Sequence, residues 1–144
     1  MEARELALWH ARGRQLVGAA FVLAPDLAGR AWIGSDAGRR PAKVLARAFG
    51  GRDLAIGLGV VIALDRGAPV RRWIEAGVLS DAIDTAASLL AGSSIPAAIR
   101  WPCVALGASS AALGALLAPQ LAEPPAPIPG ETPESALTGH PAPP

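Results

Sequence analysis

Apolar residues gather into four stretches separated by glycine, proline and arginine. The first runs from about 6 to 27 around "QLVGAAFVLAP", the second from about 42 to 64 and the third from about 70 to 91. The fourth, from about 95 to 120, overlaps "WPCVALGASSAALGALLAPQLA", which carries no charge between 101 and 122. At 1.5 Å rise per residue each is near the ~20 residues needed to cross a bilayer. The pattern therefore predicts an all-α fold, a four-helix transmembrane bundle over residues 1 to 122.

Prolines punctuate the breaks where helices tolerate them. Pro41 and Pro69 suit a first turn, where the missing N–H is no loss, and Pro96 follows the candidate cap Ser94. Pro102 falls either in the first turn of the fourth helix or inside a longer helix that it would kink. From 123 to 144 the chain reads "EPPAPIPGETPESALTGHPAPP", with too few apolar residues to offset the entropy of ordering it; this predicts a disordered, partly polyproline-like tail.

Composition strengthens the membrane reading. Charged residues make up 17% of the chain, against about 25% in an ordinary soluble domain. Trp9, Trp32, Trp73 and Trp101 fall at or beside expected helix ends, where an indole at the headgroup layer keeps its N–H wet, as in a partial aromatic belt. The net charge of +1 and the scattered arginines exclude a nucleic-acid-tracking stripe, so the expected partner is the lipid bilayer, with a second copy of the chain or another membrane protein beside it. A cleaved signal peptide over 15 to 24 is not expected, because Pro25 and Asp26 follow directly and no A-x-A site does. Counting Lys and Arg, the side of the N-terminus and the 65–69 turn holds Arg4, Arg12, Arg14, Arg66, Arg71 and Arg72; the other holds Arg30, Arg39, Arg40, Lys43 and Arg100. That near tie leans the termini toward the cytoplasm and places the protein as multi-pass in the cell's inner membrane.

Chemistry-bearing residues are few. Cys103 is the one cysteine, so no intrachain disulfide or thiol redox pair can form. Neither His10 nor His140 has a second ligand at metal spacing, so no metal or cofactor is expected. Ser80, Ser88, Ser109 and Ser110 are expected to have no histidine to activate them, and the expectation is that the chain is not an enzyme.

The charges within the apolar stretches are the informative feature. Ala46, Gly50, Asp53 and Gly57 share one face of the second helix, and Gly77, Asp81, Asp84 and Ser88 share one face of the third. An antiparallel hairpin turning near Gly67 brings Asp53 level with Asp81 and places Asp84, in depth, between Arg47 and Arg52. An isolated charge at mid-bilayer costs from ~2.5 to more than ~10 kcal/mol, so the expectation is one paired cluster of Arg47, Arg52, Asp53, Asp81 and Asp84. With three acids to two arginines, Asp53 is expected to be the spare acid and the one best neutralised. Gly50, Gly57, Gly77, Gly107 and Gly114 are the expected small residues of close helix packing.

The run Arg47-Ala48-Phe49-Gly50-Gly51-Arg52-Asp53, followed by Leu54 and Gly57 and preceded by a first helix ending in Pro25, resembles a family of small bacterial four-helix membrane proteins of unknown function. Their second helix opens with Ala-Arg-Ala-x-Gly-x-Arg-Asp. The resemblance covers residues 6 to 118, is weakest at Arg12 and Arg14, and implies a fold rather than an activity. Three functions stay open: a cluster that fixes helix packing, a proton- or ion-linked or ligand-binding site at that cluster, and a soluble helical interaction module.

Overall fold

Pro25 divides the first apolar stretch into two helices. In the computed structural model, which describes residues 2–121, α1 (Ala3–Leu23) ends at Ala24, whose φ of −129° and ψ of 60° are not helical, and α2 (Pro25–Ile33) starts with Pro25 in its first turn. A residue before proline is pushed out of the α region, and the ring removes one N–H, so a continuous helix from 6 to 27 does not form. The chain bends there by 112°. A short 3₁₀ turn (Gly34–Gly38) then leads into α3 (Arg40–Arg66).

Gly67 stops α3. Its φ of 62° allows its N–H to reach the carbonyls of Ala63 and Leu64, and the N–H of Ala68 returns 2.8 Å to Ala63. α4 (Arg71–Leu90), a 3₁₀ turn (Gly92–Ser94) and α5 (Ala97–Gln120) complete the fold, which has no strand among the described residues. Pro96, not Ser94, occupies the N-cap of α5, and Pro102 lies inside that helix. The expected proline-rich tail lies outside the described residues.

The helices pack as two close pairs, α1 with α3 and α4 with α5. A Cβ on Gly50 would stand 2.5 Å from the carbonyl oxygen of Gly18, and one on Gly57 would stand 2.9 Å from that of Ala11. In the second pair a Cβ on Gly107 would meet Thr85 Oγ1 at 2.5 Å, and one on Gly114 would meet Val78 at 2.6 Å. Bare backbone at these positions is what lets the axes approach. Gly77 differs from its expected role, because the group it makes room for is the guanidinium of Arg14, at 3.4 Å, rather than another helix backbone.

Three layers succeed one another along the bundle. At the end holding the α3–α4 turn, Ala7, Ala11, Val60, Ala63, Leu64, Val70, Ile74, Leu117 and Ala118 form the apolar core. At the far end, Phe21, Trp32 and Phe49 stack with centroids 4.7 to 6.1 Å apart, which makes Trp32 part of an internal aromatic cluster. Charged side chains fill the middle. Large apolar side chains point the other way: Leu16, Leu23, Leu45, Leu79, Leu90 and Leu116 are each more than 60% exposed. Among the described helices α5 alone is long and apolar enough to cross a membrane; the bent α1–α2 segment taken as one span would be a second.

Candidate functional site

The middle layer is built around Arg14. On α1 the buried positions Ala7, Ala11, Arg14, Gly18 and Phe21 recur at spacings of four and three, so Arg14 occupies the inward stripe while Arg12 bonds to Gln15 outside. The Arg14 side chain is 6% exposed. Its Nη1 donates to Asp53 Oδ1 on α3 at 3.1 Å, and its Nη2 donates to Asp81 Oδ2 on α4 and to the carbonyl of Gly77 at 3.5 Å.

Arg52 extends the network. Its Nη1 and Nη2 donate to the two carboxylate oxygens of Asp84, at 3.1 and 2.7 Å, which is a bidentate pair between α3 and α4. Its Nε and Nη2 also reach Asp53 Oδ1, at 3.2 and 3.0 Å. The Phe49 ring lies under the guanidinium, 4.4 Å from centroid to carbon. On the other side of Arg14, Ser110 of α5 donates to Asp81 Oδ2 at 2.6 Å, and His10 Nε2 of α1 lies 2.8 Å from the Ser110 hydroxyl.

Of the residues expected to cluster, Arg52, Asp53, Asp81 and Asp84 are together and Arg47 is not. Six residues before Asp53 places Arg47 about 120° round the helix from it; it is exposed and makes no ion pair among the described residues. Arg14 takes the place expected for it. Asp53, the acid expected to be best neutralised, is the carboxylate that bridges both arginines.

Ser110 corrects a second expectation, because a histidine does reach it. The order of contacts is nonetheless His10, Ser110, Asp81, with the hydroxyl proton directed to the carboxylate. In a nucleophilic triad the acid orients the histidine and the histidine receives the hydroxyl proton. This arrangement relays hydrogen bonds and does not activate the serine.

Between the two helix pairs the network borders a cavity of about 380 Å³. Its polar lining comprises His10, Arg14, Asp53, Asp81, Asp84, Ser109 and Ser110, and Val17, Trp32, Phe49, Leu106 and Leu113 supply apolar walls. Among the described residues no three His, Cys, Asp or Glu side chains are grouped to hold a metal ion. The chain matches no family model, no curated protein and no solved structure, so its function is read from this geometry.

Proposed function

We propose that the chain is a small multi-pass protein of the inner membrane, in which α1, α3, α4 and α5 cross the bilayer and the Arg14, Arg52, Asp53, Asp81 and Asp84 network fixes their register. One observation carries the reading. In the middle layer charged side chains lie inside, while many large aliphatic side chains along the helices lie outside. In water such an exterior would be a continuous aggregation hazard, whereas in lipid it is matched to its solvent.

The charges that keep α3 and α4 from reading as spans by hydropathy include Arg52, Asp53, Asp81 and Asp84, which pair with one another or with Arg14. Pairing is what makes such residues tolerable at membrane depth. The geometry also moves the topological count. Arg14 leaves the terminal side for the interior, and Arg47 joins Arg30, Arg39, Arg40, Lys43 and Arg100 on the other, giving five against six and turning the lean of the positive-inside rule toward termini outside the cytoplasm.

A second reading, ligand or ion-linked function at the network, is favoured by the cavity that opens onto it. Carbonate and high-salt extraction of membranes test the first reading: the chain is expected to stay in the pellet. Recovery in solution without detergent would instead make it a soluble helical interaction module. A reporter fused after Pro144 reads the orientation.

A further inference from the structure

The network leaves two carboxylate oxygens without a hydrogen-bond donor. Both terminal nitrogens of Arg14 and all three guanidinium nitrogens of Arg52 already donate to carboxylates, and the Ser110 proton is directed to Asp81. Asp53 Oδ2 and Asp81 Oδ1, by contrast, accept no hydrogen bond from the described residues. Neither is a sealed orphan, because the one fully enclosed, unpartnered side-chain atom among the described residues is Ser80 Oγ. Both oxygens therefore face open space, and both residues line the cavity, although the Asp53 side chain is only 7% exposed.

Charge points the same way. Two guanidinium groups face three carboxylates, 2 − 3 = −1, so the ionised network holds one uncompensated negative charge. An anion would be repelled by that charge. A bare inorganic cation would have to shed its water without a set of three ligands to replace it. The remaining walls are aliphatic and aromatic, and Arg52 stacked on Phe49 shows that the aromatic cluster accommodates a cation. A volume of about 380 Å³ lies in the range of small-molecule sites.

We propose that this cavity binds a small organic monocation, an amine or quaternary ammonium bearing an apolar or aromatic group, with its charge at Asp53 Oδ2 and Asp81 Oδ1 and its carbon skeleton against Trp32, Phe49 and Leu106. The proposal deepens the ligand-binding reading of the same site and does not require the bundle to be in a membrane.

Calorimetric titration of the purified full chain in detergent, with empty micelles as the reference, tests it. Benzyltrimethylammonium is expected to bind saturably, and benzoate and benzyl alcohol at least tenfold more weakly. Asp53→Asn, which removes the surplus charge, should weaken the cation at least tenfold. Leu106→Trp fills the cavity from a position that is 54% exposed and touches no ion pair, so it keeps the test open if Asp53→Asn does not fold; it should abolish binding. Equal binding of the three probes, an unchanged affinity in Leu106→Trp, or no saturable binding of the cation into the millimolar range would each overturn the proposal. Carbonate extraction of the same chain separates the two readings: cation binding by a soluble chain sinks the membrane assignment alone, and a membrane-retained chain that binds no cation sinks this one alone.

Discussion

Arg14 Nη1 on α1 stands 3.1 Å from Asp53 Oδ1 on α3, and the same guanidinium holds Asp81 on α4. One side chain therefore links three helices that are far apart in the chain. Its loss should be felt at all three.

Removing one member of a buried ion pair strands the other, at a cost of about 3–5 kcal/mol. Arg14→Ala is expected to lower stability by that order, measured by unfolding in detergent. Arg47→Ala, on the exposed face, should stay within about 0.5 kcal/mol of wild type. Equal effects would return Arg47 to the cluster.

Arg52 and Asp84 should behave as a unit. The Arg52 side chain is 33% exposed and that of Asp84 14%, so each single replacement, Arg52→Met or Asp84→Leu, is expected to cost less than loss of Arg14. The double replacement should be less harmful than the sum, with a coupling energy of about 0.5–3 kcal/mol in a double-mutant cycle. Additive effects would mean that the bidentate contact does not hold in solution.

Two adjacent glycines should respond in opposite directions. Gly50→Ala presses a methyl onto the carbonyl of Gly18 and should destabilise by about 1–3 kcal/mol. Gly51→Ala meets nothing within 4 Å and gains helix propensity, up to about 1 kcal/mol. Comparing their melting temperatures in one detergent tests the α1–α3 contact directly.

At the α2–α3 junction Asp26 lies 3.5 Å from Lys43, and its own backbone N–H, followed by the Lys43 charge, holds its carboxyl below the usual range. A lowered folded-state value means a stabilisation present above the ordinary carboxylate range and lost as pH falls through the lowered one. The Asp26 side chain is 45% exposed, so the effect is small. Asp26→Asn should melt slightly below wild type at neutral pH, and the gap should close as the pH falls through the lowered carboxyl value.

The long helices are legible in the chain because their apolar runs are long and bounded by proline and glycine. α2 is not, since nine residues interrupted by Asp26, Gly29 and Arg30 carry little periodic signal. Within the cluster, equal distance from Gly67 places Asp53 level with Asp81, and one guanidinium reaches both. Counting depth along one hairpin cannot register a third helix entering it, which is why Arg14 reads as a blemish in the first span. The signal was present: Ala7, Ala11, Gly18 and Phe21 mark the inward stripe on which Arg14 falls. Arg47 lies nearly two turns before Asp53 and about 120° round the helix from it, and that phase turns it away from the cluster.

The bonds of Arg14 also order events in time. Asp53 follows it by 39 residues and Asp81 by 67. At ~5–20 residues per second of synthesis, 67 residues correspond to roughly 3–13 s. For that interval a newly made α1 carries a guanidinium with at most one of its two acids. On the membrane placement proposed above, α1 is not expected to settle as an independent insertion unit: a nascent chain arrested before Asp81 should leave it extractable, whereas one arrested after Gln120 should not.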